Sequence, residues 1–186
     1  VSGLREALAT HGRRASASAR ESLERCLAKP QVADAALKAA LAEKPLELAE
    51  LAYKLDTHGR HASASIKLEV EAKVKALRVA DEALRIAVAQ TPLESAELKA
   101  AFTQHGPYAS TSVAQEAKAK LAVALDADTT LKATMANSSL DASALEADLA
   151  KHDLNASPGV RSEARKRLVG LHRADAMLTA AMTNPR

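Results

Sequence analysis

The sequence predicts an all-α chain of four tandem 47-residue helical repeats, each with a short helix A and a long or split helix B/C, stacked as an α-solenoid-like array; a compact helical bundle is the alternative. Three observations predict it. His11, His58, His105 and His152 recur at a gap-free interval of 47 residues, and a fixed period of this length marks stacked supersecondary units that cannot bury their apolar faces alone. About a quarter of the residues are alanine, glycine and proline number only six each, and aromatics make up 2%, which favours helix over strand. Within a repeat, the apolar residues follow helical spacing.

The repeats occupy residues 1–44 (entering partway through its helix A), 45–91, 92–138 and 139–186, forming one continuous repeat domain. In register across them lie Leu4, Leu51, Leu98 and Leu145, then Ala15, Ala62, Ala109 and Ala156. The pairs Ala33-Asp34, Ala80-Asp81, Ala127-Asp128 and Ala174-Asp175 are each followed, three residues after the Asp, by Leu37, Leu84, Leu131 or Leu178. Val1 aligns inside a helix A and Arg186 aligns just before the next one, so a piece of a longer array is expected.

Helix A carries Leu48, Leu51 and Leu55 on one face, and Pro45 is read as its first helical residue. Thr91-Pro92-Leu93-Glu94 reads as a capping box, and Ser138-Ser139-Leu140-Asp141 repeats the logic with Asp for Glu. The helix is expected to stop at His11-Gly12, His58-Gly59, His105-Gly106 and His152, with the glycine in the left-handed conformation. An imidazole there can bond the last carbonyls of the helix.

The second helix is expected to begin at Ser157-Pro158, an N-cap followed by proline at the first helical position, with Ser16, Ser63 and Ser110 in the same role. Val70, Val74, Leu77, Asp81, Leu84 and Val88 form a heptad-like seam interrupted only by the Asp. Pro30 and Gly170 fall near the position of Leu77, which predicts a kink or break there in the first and fourth repeats. Asp34, Asp81, Asp128 and Asp175 then cap a helix C, fix the register of stacked units, bond a histidine of another unit, or pair at i+4 with Lys38, Arg85 and Lys132.

Twenty-six basic against twenty-three acidic side chains leave a formal charge of +3, too small an imbalance to name a partner. Cys26 cannot form an intrachain disulfide, and its apolar helical setting predicts a buried thiol in a reducing compartment. No run of about 18 apolar residues suggests a membrane span. An intracellular, cytoplasmic or cytoskeletal location is expected.

The recurring His and Ser, as in Thr57-His58-Gly59-Arg60-His61-Ala62-Ser63, suggest a hydrolase pair. Catalysis would need a histidine bonded to the serine, an acid behind it and an oxyanion hole. A serine at a helix N-cap instead spends its oxygen on backbone N–H groups, and no nucleophile-elbow motif occurs. One histidine per repeat makes a ladder rather than a converging metal site. No catalytic residue, metal or cofactor is expected.

Arg13-Arg14-Ala15-Ser16 has the form of a basophilic phosphorylation site. Arg161, Arg165, Lys166, Arg167 and Arg173 give the last long helix a candidate basic binding face. The Leu51-to-Gly59 turn is similar in general character to alanine-rich helical-repeat segments of large cytoskeletal, ciliary and scaffolding proteins. The expected function is a non-catalytic structural or scaffolding repeat with protein partners. The alternatives are a nucleic-acid binder using the basic fourth repeat and a lipid-surface protein of amphipathic helices.

Overall fold

The computed structural model describes residues 2–137 and 141–183 and is all-helical over them. The α-helices are α1 (Ser2–His11), α2 (Ala17–Ala42), α3 (Leu48–His58), α4 (Ala64–Ala89), α5 (Ser95–His105), α6 (Thr111–Ala136), α7 (Ala142–His152) and α8 (Pro158–Thr183). Their ends follow the sequence period: every short helix stops at the recurring histidine, and every long one starts just after the recurring serine and runs 26 residues. No described helix is long and apolar enough to cross a membrane.

The long helices are single. α2 continues through Pro30 and α8 through Gly170, so the expected split into helices B and C does not occur and the Asp positions lie within helices rather than at a cap. Beyond Pro30 in α2, Ala33, Leu37 and Ala40 are buried, so packing of an apolar stripe outweighs the local break there. Around Gly170, where α8 is mostly exposed, a single glycine costs a helix only about 1 kcal/mol and does not by itself end it.

The short helices start later than expected. α3 and α5 begin at Leu48 and Ser95, after N-cap positions Glu47 and Glu94 in extended conformation. Pro45 and Pro92 stand three residues ahead, after cis peptide bonds to Lys44 and Thr91. They belong to the incoming turn, where Leu46 and Leu93 pack against the core before the helix opens. In α7 the cap is Asp141, whose carboxylate accepts the Ser143 N–H at 3.1 Å; the Ser138-Ser139-Leu140 part of the expected start lies outside the described residues.

The glycines after the short helices are not left-handed. Gly59 has φ −61° and ψ −25°, and no glycine has positive φ. What selects glycine is space: a Cβ on Gly59 would lie 2.4 Å from the Leu55 carbonyl oxygen, and one on Gly12 would lie 2.3 Å from that of Leu8. The corner is closed by the histidine backbone. The carbonyls of His11, His58 and His152 each accept two N–H groups from the turn that follows.

The chain divides into two compact units, Val1–Val79 and Ala80–Arg186, the boundary lying within α4. In the first unit α2 packs on α3, and Leu37, Ala40, Leu51, Val70, Val74 and Leu77 form the core. In the second, α6 meets α5, α7 and α8. One layer there joins Leu84 and Ala87 to Leu98, Val113, Ala117 and Leu121. The other joins Ala127 and Leu131 to Leu145, Leu149, Val160 and Ala164.

These are thin aliphatic layers, with alanine permitting close helix approach. Cys26 is exposed, contrary to the expected buried thiol. Its register position holds Lys73, Lys120 and Arg167 in the other repeats, so it belongs to a solvent-facing row.

Candidate functional site

The polar chemistry of the chain concentrates at three junctions, each joining the Asp of one repeat to the Ser of the next, 29 residues on. In the first unit the Ser63 N–H donates to Asp34 Oδ1 at 2.7 Å. In the second, Ser110 donates its N–H to Asp81 Oδ1 and its hydroxyl to Asp81 Oδ2, both at 2.6 Å. Ser157 grips Asp128 in the same way, N–H to Oδ1 and hydroxyl to Oδ2, each at 2.7 Å.

Each junction places a carboxylate at the start of a long helix. There the first N–H groups have no partner within the helix and the macrodipole presents its positive end. Asp81 is 2% exposed and Asp128 5%, Asp34 is half-buried, and Asp175 is exposed.

The Asp128 junction has a third donor. The Ser95 hydroxyl bonds Asp128 Oδ2 at 2.6 Å, and the Ser95 N–H bonds the Ser157 hydroxyl oxygen at 3.1 Å. Each hydroxyl carries one proton, and both protons go to Oδ2, so the 3.1 Å approach of the two serine oxygens is a close contact rather than another bond. Burial, the largest single influence on Asp128, pushes its carboxyl up; the Ser95 and Ser157 hydroxyls, the Ser157 N–H and the Lys132 charge together outweigh it and hold the group below the usual carboxylate range.

Sequence reasoning missed Ser95. Its register equivalents are Leu48 and Ala142, so a repeat-based reading passes over it. Its only signal is a polar residue where the other repeats are apolar.

The candidate serines thus divide by what faces them. Ser16 is an exposed N-cap accepting the Ala19 N–H at 3.2 Å. At Ser110 and Ser157 the hydroxyl proton goes to an aspartate. Asp34, Asp81 and Asp128 therefore meet a serine rather than a histidine. The recurring histidines pass from exposed (His11) through half-buried (His58, His105) to buried (His152).

The chain matches no protein-family model, no curated protein and no solved structure.

The residues of the basic face are dispersed. At about 100° per residue on an α-helix, Arg161 and Arg165 share one side of α8, Lys166 and Arg173 another, and Arg167 a third. Arg161 Nη1 donates to the Asp153 carbonyl at 2.9 Å, and Arg165 Nη2 pairs with the Asp153 carboxylate at 2.7 Å. His172 Nε2 lies 3.2 Å from Glu146 Oε1. Among the described residues, no three His, Cys, Asp or Glu side chains converge as a metal site.

Proposed function

We propose that the chain is a non-catalytic structural or scaffolding repeat module, a stacked α-solenoid-like array whose work is to hold protein partners along a row of similar units. The observation that carries this reading is the use of Ser110 and Ser157: the hydroxyl that a hydrolase would need as nucleophile gives its proton to a buried aspartate of the preceding repeat. A nucleophilic serine needs a base strong enough to take that proton, and Asp128, held below the usual carboxylate range, is a weak one. The same residues recur where one helix pair meets the next, as joints between repeats require.

Protein partners are favoured over nucleic acid because the five basic residues of α8 do not share one side. Phosphate-backbone binding gains from cations aligned to release counterions together, whereas Arg161 and Arg165 are drawn to Asp153. A cytoskeletal or other intracellular setting is part of this proposal.

The test is capture by the immobilised chain from a nuclease-treated extract, alongside an ester-hydrolysis assay of wild type and Ser157→Ala. The reading expects retention of a defined protein and no turnover. Capture that vanishes with nuclease treatment, or hydrolysis lost in a folded Ser157→Ala variant, would contradict it.

A further inference from the structure

A shallow pocket of about 310 Å³ lies in the first unit, where α2 meets the corner between α3 and α4. Every polar side chain that lines it is basic: Arg25 and Lys29 from α2, His58 at the end of α3 and His61 in the turn that follows. Ala28, Val32 and Ala33 make its floor, and Val32 is 63% exposed. No carboxylate lines it. Arg25 also pairs with Glu21 at 2.8 Å, but the two side chains are 70% and 69% exposed. A pair so hydrated is weak, and it does not use up the five N–H donors of a guanidinium.

The repeat itself does not require this concentration of donors. In the second and third repeats the register equivalents of Arg25 are Ala72 and Ala119, those of Lys29 are Ala76 and Val123, and those of His61 are Tyr108 and Asn155. Only His58 belongs to the period. Adjoining repeats also leave this side of a long helix uncovered: Ala72, Ala76 and Val79 on α4, and Ala119, Val123 and Asp126 on α6, are exposed although a repeat precedes and follows each helix. The side of α6 that packs with Leu84 and Ala87 of the preceding long helix carries Val113, Ala117 and Leu121. Their equivalents on α2 are Ala19, Leu23 and Leu27, none of which lines the pocket.

We propose that this pocket receives the phosphate of a phosphoserine or phosphothreonine on a protein partner. A phosphomonoester carries close to two negative charges near neutral pH and three strong acceptor oxygens, which matches two fixed cations and two imidazoles that can each donate an N–H. Arg25 offers a planar fork to two of the oxygens and Lys29 a point charge. The volume is at the small end for a ligand pocket and suits one phosphorylated side chain, whose carbon stem would lie against Ala28 and Val32. Nucleic acid fits less well. A backbone diester carries one charge per phosphate and gains its affinity from many cations along the strand, whereas these four groups share one small pocket.

This inference rests on the proposed binding of protein partners and names the chemistry by which one is held. Fluorescence anisotropy follows a labelled Ala-Val-phosphoserine-Val-Ala peptide, its unphosphorylated form and a labelled single-stranded oligonucleotide against wild type, Lys29→Glu and Lys99→Glu, with inorganic phosphate as competitor. Lys29 and Lys99 are both exposed, and circular dichroism checks that helicity is kept. The expected result is saturable binding of the phosphopeptide alone, weakened about tenfold or more by Lys29→Glu. Lys99→Glu, which changes the net charge equally on α5, should leave it near the wild-type value, and inorganic phosphate should displace the peptide only in large excess. No saturable binding, equal binding of the two peptides, or equal losses in the two variants would overturn the proposal. So would displacement by inorganic phosphate at peptide-like concentrations, which would mean a free-anion site, or tighter binding of the oligonucleotide, which would mean a nucleic-acid site. The two readings fail separately: a protein captured from extract without phosphopeptide binding refutes this inference alone, while no captured protein counts against the partner-binding reading.

Discussion

Ser157 holds Asp128 with two bonds from one residue, its N–H on Oδ1 and its hydroxyl on Oδ2, at 2.7 Å each. The carboxylate comes from inside α6 and the serine from the start of α8, so one side chain ties a helix interior to a helix end. Charged acceptors make the stronger hydrogen bonds, and burial makes leaving the donors unpaired costly.

The four aspartates should therefore rank by burial and donor count when replaced by alanine. Asp128→Ala strips three donors and should cost about 3 kcal/mol, with Asp81→Ala close behind. Asp34→Ala loses one N–H partner at a half-buried site and should cost about 1 kcal/mol. Asp175→Ala, at an exposed position, should stay within about 0.5 kcal/mol of wild type. Urea denaturation of the four variants checks the order; equal losses at Asp128 and Asp175 would contradict it.

Acid should weaken the Asp128 junction in a defined direction. Its native carboxyl binds a proton less readily than the unfolded one, so the stabilisation is complete above the unfolded carboxylate value of about 3.9. It drains away as pH falls through the lower native value. Ser95→Ala removes one of the bonds holding that value down, so carbon-detected NMR titration should find the Asp128 midpoint higher in the variant. An unchanged or lowered midpoint would show that Ser95 does not act on the carboxylate.

The serines should respond unequally. Ser16→Ala loses a side-chain cap and should cost about 1 kcal/mol. Ser63→Ala should cost less than that, because the bond to Asp34 comes from the backbone and survives the change. Thermal unfolding of both variants tests this; a larger loss at Ser63 would mean that its hydroxyl, near Ser65 in the structure, carries more of the junction.

Glycine substitutions separate space from conformation. Gly170 lies inside α8 with nothing within 4 Å of an added Cβ, so Gly170→Ala should stabilise by up to about 1 kcal/mol. Gly59→Ala should destabilise, since its Cβ would meet the Leu55 carbonyl. Calorimetric melting temperatures moving in opposite directions are the expected result.

How much of this was legible depended on whether the signal was periodic. The 47-residue interval located the ends of the short helices at the histidines and the starts of the long ones after the serines, and the seam from Val70 to Leu84 is buried as its spacing implies. Pro45 and Pro92 misled because proline suits both a first helical turn and the turn before it, and only the packing of Leu46 and Leu93 distinguishes them. Pro30 suggested a break that the packing of Ala33, Leu37 and Ala40 overrides, and Gly170 one that a single glycine inside a helix does not impose.

The Asp–Ser bonds were hidden for another reason. Register showed that Asp128 and Ser157 recur, but not that residues 29 apart face each other across a junction. Ser95, present in one repeat only, left no periodic trace. Cys26 could have been placed correctly by its register companions Lys73, Lys120 and Arg167.

The central claim is that Asp128 and Ser157 act as one structural joint, and a double-mutant cycle over Asp128→Ala, Ser157→Ala and the pair tests it most directly. Unfolding free energies from urea titration should show the second change costing much less once the first is made, with a coupling of about 1–2 kcal/mol. Strict additivity of the two losses would contradict the account.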